Sequence, residues 1–219
     1  MPLVEKIAAN ISAESREHKY AQFIAQCRPT PGDTILDIGV NTTEYSPSDN
    51  YLEKHYPHKQ NITAVGLEDG STFTTRYPEI TYLQTDGRTL PFTDNQFDIA
   101  YSNAVIEHVG GREEQIAFLR EAFRVAKKGF LTTPNRHFPI ELHTRVPLLH
   151  LLLSQSLFDA FLRLIGKSWA TGDYMHLLSE RDLRSLLSTA GIHEYELTRN
   201  RFLGLTMTFT VTWDKTAIR

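Results

Sequence analysis

A chain of 219 residues with 41% hydrophobic content and a formal net charge of −3 can bury one sizeable core and has no basic excess for gripping a phosphate backbone. Its single cysteine, Cys27, excludes an internal disulfide and a cysteine-rich metal site. No Gly/Ser linker, repeat or low-complexity tract divides the chain, so one domain over 1–219 is expected, cytoplasmic and without a nucleic-acid partner.

The first twenty residues hold acidic side chains and no uninterrupted apolar run, which argues against a signal peptide or membrane anchor. An amphipathic helix is predicted over 3–27, within an N-terminal segment 1–30, and "RPTPGD" breaks it with two prolines and a glycine. Short apolar runs then read as strands: "TILDIG", "NITAVGLE", "ITYLQTD", "FDIAYSNA" and "GFLTTP". Short helices are predicted around "NYLEKHY" and "STFTTRYP". Residues 112–127 place Ile116, Leu119, Ala122, Phe123 and Ala126 on one helical face. The Leu-rich stretch 146–165 is interrupted by His150, Ser154, Gln155, Asp159 and Arg163. It therefore falls short of the roughly 20 apolar residues of a membrane span and suits a packed helix or a cap over an apolar substrate. Further on, Ser179 followed by Asp182 resembles a helix N-cap, and Gly191 a helix stop. "HEYELTR" and "TMTFTVTW" close the chain as two consecutive strands.

Nearly continuous apolar strands alternating with helices predict an α/β fold: a doubly wound, mainly parallel sheet of seven strands with an antiparallel C-terminal edge hairpin. Ligands in such sheets sit beyond the carboxyl ends of the strands. The residues there are Asp37 and Gly39, Glu68 and Asp69, Asp86, Gly87 and Arg88, then Ser102 and Asn103. A carboxylate can accept both hydroxyls of a ribose or the amine of an adenine, so these residues outline a nucleoside pocket. Plainer roles exist for each: Asp37 holding its own loop, Glu68 or Asp69 capping a helix, Asp86-Gly87 forming a turn.

With those residues in place, "TILDIG", "ITAVGLE", "TDGRTLPFTDNQFDIAYSNAVIEHV" and "EAFRVAKKGFLTTPN" resemble the successive motifs of class I S-adenosylmethionine-dependent methyltransferases, in particular the methyltransferase type 11 group. The resemblance runs from about residue 32 to 134, with weaker support to residue 191 through "LLSERDLRSLLSTAGI", and implies a Rossmann-like fold, S-adenosylmethionine as cofactor, and Asp37, Gly39, Glu68, Asp69, Asp86, Gly87, Arg88, Ser102 and Asn103 as its binding residues. Two departures stand out. Val40, Asn41, Thr42 and Thr43 replace a glycine-rich turn, with Asn41 the residue best suited to a left-handed conformation and the threonines offering hydroxyls. Gly66 follows the second strand where an acid is usual, and the acid comes at Glu68.

The implied reaction is in-line transfer of a methyl group to a small-molecule acceptor, one with a partly apolar body if the Leu-rich stretch lines a pocket. His108 and His143 are the candidate catalytic bases. Glu107 could orient a ligand, or cap the next helix with His108. Residues 135–178 form the expected acceptor or cap segment, with His137, Glu141 and Arg145 as substrate-binding candidates, and Arg145 equally a salt-bridge partner of Glu141. His137, Glu141 and His143 match no common zinc spacing, so no metal is expected. Missing G-x-G-x-x-G glycines count against a nicotinamide cofactor. The altered first turn keeps a second reading open, a methyltransferase-like binding or regulatory module without turnover.

Overall fold

The computed structural model describes residues 3–172 and 174–217. Residues 1–2 of the expected N-terminal segment, Asp173 of the expected 135–178 segment and residues 218–219 lie outside the described residues.

Seven strands build one sheet: β1 (Ile35–Ile38), β2 (Ile62–Gly66), β3 (Thr81–Gln84), β4 (Phe97–Asn103), β5 (Ala126–Pro134), β6 (Glu196–Phe202) and β7 (Leu205–Asp214). Their order is β3-β2-β1-β4-β5-β7-β6. The first five neighbours pair in parallel, and β7 pairs antiparallel with both β5 and β6. The winding reverses between β1 and β4, which opens a crevice at their carboxyl ends. The expected fold class and edge hairpin are therefore present.

Helices α1 (Leu3–Cys27), α2 (Tyr51–His55), α3 (Ser71–Arg76), α4 (Arg112–Val125), α5 (Leu149–Leu152), α6 (Gln155–Leu164) and α7 (Glu180–Thr189) complete the chain. Both faces of the sheet are covered, which is why every residue of β1 is buried. Side chains alternate along a strand, so β1 divides its residues between two cores. Leu36 and Ile38 join Ile116, Leu119 and Ala122 of α4 and Leu183, Leu186 and Leu187 of α7. Ile35 joins Ile62, Ile99 and Phe130 of its neighbours, Phe23 of α1, Leu52 of α2 and Phe73 of α3. Asp37 has the parity of Ile35, so it faces α1 and α2.

That parity gives α1 its role. Arg16, Lys19, Phe23 and Cys27 recur at three- and four-residue intervals and share one face. Phe23 is fully buried, edge-on to Tyr101 at 5.1 Å and to Phe130 at 5.6 Å between ring centroids. Removing a ring so enclosed costs about 3–5 kcal/mol. Anchored there, the same stripe turns basic as it nears the crevice, at Lys19 and Arg16.

Three boundaries differ from the sequence expectation. Helix α4 ends at Val125 and Ala126 is already extended, because Ala126 pairs with Phe97 across the sheet. Strand β6 begins at Glu196 rather than at His193, since Gly191 (φ 85°) ends α7 and Ile192 is spent on the core. The Leu-rich stretch is two short helices, α5 and α6, packed into a small core of Val146, Phe158, Leu162 and Ala170. Among the described residues no helix is long and apolar enough to cross a membrane. The predicted cap on α7 is a full capping box, with Ser179 and Asp182 each bonding the other's backbone amide.

Candidate active site

The turn after β1 needs glycine at one place. Gly39 has φ 95°, and a Cβ there would lie 2.5 Å from a methyl of Val105. Beyond it, side chains replace the missing glycines. Asn50, itself left-handed at φ 49°, accepts from the Asn41 amide at 3.1 Å and donates to the Asn41 carbonyl at 2.8 Å. It closes the loop as a peptide group would. Asn41 is not left-handed, contrary to its expected role; the strained position falls nine residues later, at Asn50. Asp49 caps the amides of Tyr45 and Ser46, and Glu44 receives Asn50, Lys54 and Tyr77. Thr42 donates to Glu68 Oε2 at 2.6 Å, which ties the loop to the exposed acid after β2.

Under this loop lies a cluster that no sequence motif marks. Asp37 and Glu53 are both buried, at 6% and 1% exposure, and no side-chain or backbone donor among the described residues meets either Glu53 carboxylate oxygen at hydrogen-bond distance. Burial, and then the neighbouring Glu53 carboxyl, push the Asp37 carboxyl well above its usual range, against a smaller pull from Arg16. Burial raises Glu53 as well. A cavity of about 70 Å³ opens between these acids, Arg16, Gly39, Asn41 and Asn103. Lys19 donates to Asn103 Oδ1 at 3.4 Å, and Thr132 donates to the same oxygen at 2.6 Å. Burial, followed by repulsion from Arg16, lowers the Lys19 amine to about 7. Arg16, Lys19, Asn50 and Glu53 were missed because each sits in a polar stretch that reads as solvated helix or loop.

The other rim residues have local duties. The Ser102 hydroxyl donates to the Ile38 carbonyl at 3.0 Å and is buried. Asp69 holds the amide and hydroxyl of Ser71 at the start of α3. Asp86 is gripped at both oxygens by Arg88, whose hydrogen bonds hold its carboxyl below the usual range. A Cβ on Gly87 would meet Ile38 and Phe118 at 2.9 Å.

On the far side of Asn103 the chain takes a left-handed residue, Ala104 (φ 60°), and a 3-10 turn, Ile106–His108. Glu107 is fully buried; its Oε2 accepts from Thr133 at 3.1 Å. The N-cap of α4 is Gly111, so Glu107 and His108 do not cap that helix. Gln115 of α4 donates to the Ile106 and His176 carbonyls, and the His176 amide to the Glu107 carbonyl, which pins this turn to the 174–176 segment. His108 and His143, 35 residues apart in sequence, meet with Nε2 atoms 3.1 Å apart and rings perpendicular. Glu141 stands behind His143, its Oε1 2.9 Å from Nδ1 and its carboxylate on the amides of His143 and Thr144. Burial opposes ionisation of Glu141, but the His143 ring and these amides bring it down to about 2. His143 is raised in turn: burial works against its charge, and Glu141 and Glu107 overcome it. His137 and Arg145 are exposed, and the Glu141 carboxylate is taken by His143 and Thr144 instead of Arg145. Beside Glu141 a cavity of about 380 Å³ is lined by Arg112, Arg136, His150, Phe158 and Leu186.

Comparison with known proteins agrees with this architecture. Residues 36–131 match the family described as methyltransferase domain. No curated protein matches the chain. Among solved structures, an S-adenosylmethionine-dependent methyltransferase from Methanosarcina mazei superposes with a TM-score of 0.60 at 17% identity, over 88% of this chain and 96% of that one. The magnesium protoporphyrin IX methyltransferase of Synechocystis, with S-adenosylhomocysteine bound, gives 0.58 at 14%, over 97% and 87%. The 1,6-didemethyltoxoflavin-N1-methyltransferase of Burkholderia thailandensis gives 0.56 at 14%, over 91% and 77%. At such identities the superpositions speak for the fold alone, and the family match covers residues 36–131, less than half of the chain. The donor set fits S-adenosylmethionine. The neighbouring buried acids Asp37 and Glu53 suit its ammonium, Arg16 suits its carboxylate, and the exposed Glu68 carboxylate suits a ribose diol.

Proposed function

We propose that this S-adenosylmethionine-dependent methyltransferase methylates an oxygen or nitrogen of a small molecule held beside the 135–178 segment, with His108 and His143 facing the acceptor. The observation that carries the reading is the meeting of His108 and His143 directly beyond Asn103, so that a cofactor-type pocket and a proton-accepting pair flank the end of β4.

The bound cofactor supplies a methyl group on an already activated sulfonium. The protein's share is alignment and proton handling. Asp37, Glu53 and Arg16 would hold the amino-acid end, and Glu68 and Asp86 the nucleoside, fixing the line of attack; such orientation is worth roughly 7–11 kcal/mol of barrier. A neutral Nε2 of the histidine pair would take the acceptor's proton, an effect of about 10²- to 10⁴-fold. Glu141 would stabilise His143 in its charged form. Arg112 and Arg136 beside Phe158 and Leu186 favour an acceptor with an anionic group on an apolar body.

Calorimetry with S-adenosylmethionine and S-adenosylhomocysteine, followed by transfer of labelled methyl to a panel of small carboxylated and phosphorylated aromatics and aliphatics, tests this reading. Binding and transfer to a member of that panel are expected. A protein that binds neither cofactor form would overturn it, and so would transfer that persists undiminished in a His108→Ala/His143→Ala variant.

A further inference from the structure

Three acceptor atoms converge between the end of β4 and the 141–144 turn. His108 Nε2 and His143 Nε2 are 3.1 Å apart, Glu107 Oε1 is 3.8 Å from His143 Nε2, and all three lie within 4.8 Å of one another. Each imidazole is committed at its other nitrogen: His143 Nδ1 to Glu141 Oε1 at 2.9 Å, and His108 Nδ1 to the Tyr174 carbonyl at 3.0 Å. A carboxylate and a carbonyl only accept, so both Nδ1 atoms carry hydrogen. In neutral rings both Nε2 lone pairs then face each other and a carboxylate oxygen. Such a cluster is repulsive until a cation enters it.

A proton is an incomplete answer. It can bridge the two Nε2 atoms, but Glu107 Oε1 remains buried without a hydrogen-bond partner among the described residues, and 3.8 Å is too long for a hydrogen bond to His143. Lys19 feels the Glu107 charge but spends its hydrogen bond on Asn103, and Arg16 bonds the Ser48 carbonyl, so neither hydrogen-bonds Glu107 Oε1.

We propose that Glu107 Oε1, His108 Nε2 and His143 Nε2 bind one divalent transition-metal ion of the zinc class. Two imidazoles and a carboxylate suit zinc, cobalt or iron(II). A tetrahedral ion with zinc–nitrogen bonds of about 2.0–2.1 Å holds its nitrogen ligands about 3.3 Å apart, close to the separation here. Ring orientation is already set from behind, by a carboxylate on one histidine and a backbone carbonyl on the other, which is how protein metal sites fix their imidazoles. Thr133 does the same for Glu107. The two rings are only partly buried, so an ion has a way in. Three protein ligands leave a coordination position open, the pattern of catalytic rather than structural zinc.

Resting on the methyl-transfer reading, that position is where an acceptor oxygen or nitrogen would bind, give up its proton to solvent water more readily, and form its bond to the methyl carbon as the carbon–sulfur bond of the sulfonium breaks to leave the thioether. Metal and proton compete for the same Nε2 lone pairs, so the histidine pair activates the acceptor in the metal-free protein and the ion does so in the metal-loaded one.

The test uses the full chain, freed of metal by chelation and dialysis. Titration with Co²⁺ is expected to give visible ligand-field bands that saturate at one equivalent and vanish on adding one equivalent of Zn²⁺. Glu107→Gln, His108→Ala and His143→Ala should each weaken Zn²⁺ binding by at least ~100-fold, and Glu141→Gln by about 10–100-fold through loss of ring orientation. His193→Ala, far along the chain and exposed, should change nothing. Glu107→Gln preserves volume, and thermal unfolding in chelator verifies that each variant is folded. Absence of one-equivalent binding by the parent protein, or Zn²⁺ binding unchanged in folded Glu107→Gln, would overturn the site. Calorimetry with S-adenosylmethionine on the same samples separates the two readings: cofactor binding and methyl transfer without metal binding remove only the metal, and metal binding without cofactor binding removes only the transferase reading.

Discussion

Two buried polar clusters flank Asn103, and they balance charge in opposite ways. On the α1–α2 side, Asp37 and Glu53 are like charges out of water, and both are raised. On the 135–178 side, Glu141 and His143 are opposite charges in contact, the acid lowered to about 2 and the ring raised. The first stores demand for a cation at the end of a central strand, against a core of thirteen buried residues shared by the sheet, α1, α2 and α3. The second satisfies most of its own demand on a segment whose core is four residues. A cofactor pocket can be prepaid on a sheet, whereas a segment of short helices must first hold itself together.

The largest expected effect breaks the second cluster. His143→Ala should lower turnover by about 10²- to 10⁴-fold while cofactor affinity, measured by calorimetry, stays within a few-fold. An equal loss of affinity would mean that the two clusters are one site. Breaking the first should do the reverse. Glu53→Gln removes a charge facing the expected ammonium, and a hydrogen bond to a charged group is worth about 1.5–3 kcal/mol, so S-adenosylmethionine should bind about 10- to 150-fold more weakly.

How far this contrast was legible follows from what each part is made of. The strands announced themselves because buried parallel strands are apolar runs, and Asp37, Glu68 and Asp86 were found as the first acids after such runs. Glu53 was invisible: in "YLEKHY" it looks like the wet side of a short helix, and only the fold turns it inward. Arg16 and Lys19 were hidden likewise, since a basic residue on an amphipathic helix reads as solvated. His108, Glu141 and His143 were each named, but the contact across 35 residues depends on how a segment of local turns returns to the sheet, and no periodicity encodes that. His137 and Arg145 were drawn in by the same density of polar residues and lie exposed.

Acidity offers a smaller, sharper probe. The folded Asp37 carboxyl is raised, so the unliganded protein binds more protons at this site than the unfolded chain does. Its contribution to stability is complete below the unfolded value near 3.8 and is lost as pH rises through the folded value. Glu53 reinforces this trend, and Arg16, Glu44, Lys54 and the Tyr101 hydroxyl are the other titratable groups facing the pair. Asp37→Asn should therefore raise the melting temperature of the free protein by a few degrees near neutral pH, flatten its decline with pH, and weaken cofactor binding. A variant that loses both stability and affinity would show that the pair is a satisfied structural contact.

The rim should respond least, and unevenly. Glu68→Ala frees Thr42 and removes the exposed carboxylate expected to meet a ribose, so about a 3- to 10-fold loss of affinity is expected, near 1 kcal/mol for a hydrogen bond in partial solvent. Asp86→Ala should cost less, because Arg88 already answers its charge and would remain over the same rim. Asp69→Ala should leave affinity unchanged and loosen only α3, since its carboxylate is spent on Ser71. If Asp86 instead outranks Glu53 in a calorimetric series, the cofactor draws its affinity from the open edge, and the raised acids beneath the loop have some other purpose.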